Sequence, residues 1–112
     1  MSVGPRDFVV VLVTAAGPEA AELLARALVE ERLIACANLV GPIRSIYRWQ
    51  GAVEEAAEHL LILKARAEDV DALVARIEAL HGYDVPEVLA IPLVAGAARY
   101  LTWLADATTR PG

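Results

Sequence analysis

Few side chains in this sequence can ligate a soft metal or move a proton, and their spacing bounds the chemistry. There is one cysteine, Cys36, and there are two histidines, His59 and His81. Copper and zinc favour thiolate and imidazole ligands, and the carboxylates available by type are Glu54, Glu55, Glu58 and Glu87. No CxxC, HxH or HExxH spacing occurs, so only tertiary or subunit contact can bring Cys36 and His81 to one ion. Each residue also has an ordinary reading. Cys36, within Ile34-Ala35-Cys36-Ala37, serves as a small buried hydrophobe. His81, at the end of a helical pattern, is satisfied by the helix dipole and a nearby carbonyl. His59 reads as a strand surface residue.

Acid–base pairs fare no better. Glu58 and Lys64 share a strand face but stand six residues apart, about 20 Å, and Glu55 and His59 about 13 Å, far beyond proton-transfer reach. Ser45 has no motif-linked histidine and no nucleophile elbow. Thr14-Ala15-Ala16-Gly17 carries too few glycines for a phosphate cradle. The expectation is therefore a protein that is not an enzyme, with one arrangement left open: a centre assembled across subunits from Lys64, Glu58 and Tyr83.

The elements that position these groups follow from periodicity. Phe8 to Val13 is a continuous apolar run, read as a strand buried on both faces. Pro18-Glu19 opens a helix ending near Arg32, with Ala20, Leu23, Leu24, Ala27 and Leu28 as its apolar stripe. Ile34 to Trp49 is strand-like, with a bulge or bend, or an unpaired edge, expected at Gly41-Pro42. Gln50-Gly51 suits a tight turn, which makes Tyr47 face Glu54 and Ser45 face Ala56 on a return strand over 53–66. A second helix begins at Glu68-Asp69, with Val70, Leu73, Val74, Ile77 and Leu80 inward, and closes at Gly82. A fourth strand over 88–93 and a last helix over about 97–107 follow, and the tail from Thr108 onward is expected to fray.

This order predicts an α+β fold of the ferredoxin-like split βαβ type, with a long central hairpin and an extra C-terminal helix. The 112 residues make one domain, 1–112, with an ordered core at about 8–107. Apolar residues make up 57% and charged residues 22%, with a net charge of −5. The acidic balance argues against a nucleic-acid partner, and the short apolar runs argue against a membrane span. A lone cysteine and an N-terminus without a basic leader region make a cytoplasmic setting the expectation. Two strands of about 14 residues give a hairpin about 45 Å long, whereas a compact chain of this size is about 35 Å across. Tyr47 and Trp49 near its tip need cover from a partner chain.

Ala35-Cys36-Ala37-Asn38, leading to Ser45-Ile46-Tyr47-Arg48-Trp49-Gln50-Gly51, resembles the CutA divalent-cation tolerance proteins. Glu58, Lys64, the stretch His81-Gly82-Tyr83-Asp84-Val85-Pro86-Glu87 and Tyr100-Leu101-Thr102-Trp103-Leu104 fit the same pattern in one unbroken order. The family usually has proline where Gly82 stands. The resemblance implies a homotrimer in the cytoplasm and a link to tolerance of copper and other divalent cations, with no obligatory cofactor. Within its motifs His81 and Cys36 are the candidate ligands for Cu(II) or another divalent ion. Tyr47, Trp49, Glu58, Lys64, Tyr83, Tyr100 and Trp103 are the candidate residues of an intersubunit pocket or interface. CutA proteins are similar in trimeric architecture to the PII signalling proteins. That likeness gives a second expectation, a small-ligand or anion sensor with its cleft between subunits, toward which Lys64, Arg66 and Arg44 could draw an anion.

Overall fold

The computed structural model describes residues 3–111. Met1, Ser2 and Gly112, on which parts of the terminal expectations fall, lie outside them. The chain forms β1 (Phe8–Ala15), α1 (Pro18–Glu30), β2 (Cys36–Trp49), β3 (Ala52–Arg66), α2 (Val70–Leu80), β4 (Val88–Pro92) and α3 (Ala98–Ala107). The four strands make one antiparallel sheet in the order β2-β3-β1-β4, the expected α+β arrangement.

Alternation of side chains sends the odd-numbered residues of β1 and of the proximal half of β3 to one face. There Val9, Val11, Val13, Leu61, Leu63 and Ala65 form the main core. Ala21, Leu24, Ala25 and Leu28 of α1 and Leu73 and Ile77 of α2 close over them. The stripe of α1 is thus rotated from the expected one. Two alanines let the helix sit close on the sheet, and Leu23 is left 73% exposed. Each fully buried aliphatic side chain contributes roughly 1.5–3 kcal/mol of burial.

The even-numbered face is different, and it corrects the expectation that β1 is buried on both sides. Only its end near Phe8 is covered, where Phe8 and Ala35 pack with Leu101 and Leu104 of α3. Beyond that end Val10, Leu12, Leu60 and Ile62 are half-buried, while Leu89 and Ile91 of β4 are 57% and 47% exposed.

The tail's described residues 108–110 make contacts with the body. Thr108 is buried, and the Arg110 guanidinium donates to both Asp69 carboxylate oxygens (2.8 and 3.0 Å) and to the Arg32 carbonyl. The carboxylate raises the Arg110 pKa above its ordinary value, mainly through that hydrogen bond.

The hairpin dominates the shape, which measures 50 × 28 × 22 Å. Gln50 and Gly51 both have positive φ, 50° and 84°, the two-residue turn whose twist matches that of the strands. It pairs Tyr47 with Glu54 and Ser45 with Ala56 as expected. The register shifts between Val40 and Ile43, so Gly41-Pro42 forms the anticipated bulge. A Cβ at Gly41 would stand 2.6 Å from the His59 ring, so only glycine fits there without displacing the imidazole.

Candidate functional site

β1 ends at Ala15, opposite His59, while β3 continues outward as an arm paired with β2 alone. The loop over 81–87, returning from α2 to β4, turns through the notch this leaves. His81 is its brace. The Tyr83 backbone N–H donates to Nδ1 at 3.0 Å, which leaves the ring proton on Nε2 to donate to the Thr14 carbonyl at 2.7 Å. Both nitrogens are committed, so ligating a metal would cost His81 one of these bonds. The ring also lies 4.7 Å from that of Tyr83.

Tyr83 in turn donates its phenol proton to Glu58 at 2.8 Å. Burial first, then the hydrogen bond to Glu58 and the charge of that carboxylate, pushes the Tyr83 pKa from its ordinary 10.0 up to about 12. The phenol therefore stays a donor across the physiological range, and Glu58 is only 7% exposed.

These groups border a cavity of about 600 Å³. Ser45, Tyr47 and Trp49 form its wall on the arm, Thr14 and Glu58 its floor, and Asp84 and Glu87 its loop side. Among the described residues its lining holds three carboxylates and no lysine, arginine or histidine. Within one chain the lining is therefore acidic, and the expected anion cleft lies between subunits.

The other anticipated residues gather elsewhere. Cys36 pairs with Lys64 in the row of Val10, about four residues or 13 Å along β1 from Thr14. Cys36 Sγ lies 3.9 Å from the Tyr100 hydroxyl, and the Lys64 ammonium donates to the Asn38 side-chain oxygen. Tyr100 stacks obliquely on Trp103 at 5.4 Å. Burial, followed by the neighbouring thiol, raises the Tyr100 pKa. The candidate interface set thus divides into Tyr47, Trp49, Glu58 and Tyr83 at the arm and Lys64, Tyr100 and Trp103 beside α3. One chain does not bring Cys36 and His81 together. Among the described residues no group of three or more His, Cys, Asp or Glu is placed to hold a metal ion. Sequence reasoning passed over Asp84 and His81's bracing bond to Thr14. The acid stands inside the quoted 81–87 stretch but carried no periodic signal that marks a site residue, and the acceptor lies 67 positions away in the chain.

Comparison with known proteins agrees over most of the chain. The family model described as CutA1 divalent ion tolerance protein matches residues 9–107. The divalent-cation tolerance protein CutA of Thermus thermophilus is 48% identical over 99 residues, covering 88% of this chain and 96% of that protein. Chloroplastic protein CutA 1 of rice is 46% identical over 100 residues, 89% of this chain but only 56% of its own length. This chain therefore spans about half the rice protein. The solved divalent cation tolerance protein (Cut A1) from Thermus thermophilus superposes with a TM-score of 0.88 at 47% identity, covering 91% of this chain and 99% of that one. Sequence and three-dimensional likeness extend across the sheet, the arm and the braced loop alike, and on that ground the chain belongs to the CutA1 divalent ion tolerance protein family.

Proposed function

We propose that this chain acts as a cytoplasmic homotrimer in the tolerance of divalent metal ions, copper among them, and that its role is not enzymatic. Membership of a family whose relatives are named for divalent-cation tolerance supports the role. The observation that carries the assembly is the uncovered sheet face. Among the described residues no helix covers the apolar surface of Leu12, Leu60, Ile62, Leu89 and Ile91, which continues into an arm whose Tyr47 and Trp49 are each 43% exposed. Apolar area of this kind is stabilised by burial against another subunit. Direct metal contact is weak in this reading, of roughly micromolar class, since one chain supplies no complete ligand set and His81 must release a hydrogen bond to bind.

The test has two arms. Sedimentation of the protein at micromolar concentration is expected to give about 36 kDa from 12.0 kDa chains, and a folded 12 kDa species would overturn the assembly. Cu(II) calorimetry on wild type and His81→Ala addresses the metal. Equal heats remove His81 as a ligand, and no saturable heat removes direct binding. A host lacking its own CutA should regain copper tolerance with this chain, and failure to do so would overturn the role.

A further inference from the structure

We infer that residues 108–110 form a strap that couples the α1–α2 layer to the subunit interface around the base of the sheet. The coupling rests on the trimer proposed above, while the strap itself stands on contacts within one chain. The two faces of the sheet hold their helices unequally. Among the described residues fourteen buried side chains make the core under α1 and α2, but only four, Phe8, Ala35, Leu101 and Leu104, make the cluster under α3. Hydrophobic stabilisation scales with the apolar area buried, so α3 depends more on polar contacts to keep its place.

The strap supplies them. Thr108 is buried at the end of α3, where its hydroxyl donates to the Leu104 carbonyl at 2.7 Å and accepts from Arg66 Nε at 2.9 Å. A second Arg66 nitrogen donates to the Ala105 carbonyl at 2.7 Å. Two residues on, Arg110 holds Asp69, at the start of α2, and the Arg32 carbonyl, just past the end of α1. Asp69 occupies the N-cap position of α2, where an aspartate ordinarily accepts from the helix's own first N–H groups, yet it makes no such bond. Its nearly buried carboxylate has Arg110 as its sole hydrogen-bond partner among the described residues. A bidentate, charge-assisted pair is directional, so it fixes the tail and, through Thr108, the last turn of α3. Tyr100 and Trp103, exposed on α3 in a single chain, then meet a neighbouring subunit at a position set from the opposite layer.

Amide hydrogen exchange and sedimentation on wild type, Arg110→Ala, Asp69→Asn and Ile77→Val test this. Arg110→Ala and Asp69→Asn should each speed exchange over 98–107 at least about fivefold and raise the trimer dissociation constant about fivefold or more. Ile77→Val, which loosens the core beneath α2, should leave both unchanged. Arg110→Lys, which keeps the charge but not the fork, should recover part of each. Unchanged α3 exchange in Arg110→Ala overturns the strap, and Asp69→Asn carries the test if Arg110→Ala fails to fold. Faster exchange with an unchanged dissociation constant, or an equal loss in Ile77→Val, overturns the coupling to assembly. A wild type that sediments at 12.0 kDa overturns the assembly and the coupling together, and α3 exchange still decides the strap.

Discussion

Two faces of one sheet, built from nearly the same side chains, have opposite fates in this molecule. On β3, Leu61, Leu63 and Ala65 are sealed beneath α1 and α2, whereas their neighbours Leu60 and Ile62 are half-buried on a face that α3 covers only at one end. Residue type does not separate them, because leucine occurs on both. The difference is the partner: the first face finds its cover within the chain, and the second finds it in another subunit of the proposed trimer. An apolar strand read in isolation cannot reveal which of these will happen.

The comparison can be broken most forcefully at adjacent positions. Leu63→Ala opens a cavity in the sealed face and should cost about 2–5 kcal/mol in denaturant unfolding. Ile62→Glu puts a charge on the other face and should instead lower the sedimenting mass from that of the proposed trimer toward 12.0 kDa. If Ile62→Glu kept its parent's mass, the uncovered face would not be an interface. Trp49→Ala extends the contrast to the arm, with an expected loss of about 3 kcal/mol per site, read from unfolding at several protein concentrations. An unchanged midpoint and mass would show that the arm is not an anchor.

Smaller effects sharpen the boundary between the faces. Arg110→Ala leaves the Asp69 carboxylate without its bidentate partner and should cost about 1–3 kcal/mol, with faster trypsin cleavage after Arg32. Resistance equal to the parent's would mean that the clasp closes nothing. Tyr83→Phe tests the loop that meets the uncovered face. Because folding raises the Tyr83 pKa from 10.0 to about 12, the folded state holds its proton longer than the unfolded chain. The stability this supplies is present below about pH 10 and is lost as the pH climbs toward 12. Unfolding measured through that window should therefore fall less steeply in Tyr83→Phe than in the parent, and identical slopes would exclude the linkage.

Much of this is legible in the residues alone, for identifiable reasons. Gln50-Gly51 fixes the hairpin pairs because a two-residue turn leaves little choice of register, and Gly41-Pro42 marks the bulge. The burial of α1 is not legible, because leucine spacing suggests a stripe that close packing of Ala21 and Ala25 rotates away. Nor is the contact of Arg110 with the body, because Asp69, which holds it, lies 41 positions earlier. At the site, the shared face of Ser45, Tyr47 and Trp49 follows from parity, but their meeting with Glu58, Tyr83 and Asp84 depends on a notch made by unequal strand lengths. No local pattern encodes that.

The bulge has one more consequence. Before it, the even-numbered residues Cys36, Asn38 and Val40 pair with Lys64, Ile62 and Leu60; after it, the odd-numbered Ile43, Ser45, Tyr47 and Trp49 pair with Glu58, Ala56, Glu54 and Ala52. The extra residue therefore acts as a phase inverter. Deleting Pro42 while keeping the hairpin registered from its base would restore plain alternation, with Gly41 opposite His59, and leave Ser45, Tyr47 and Trp49 opposite Ala56, Glu54 and Ala52 as they are now. A one-residue deletion beyond the bulge would instead slip the outer half of the strand by one position and turn the aromatic wall to the opposite face.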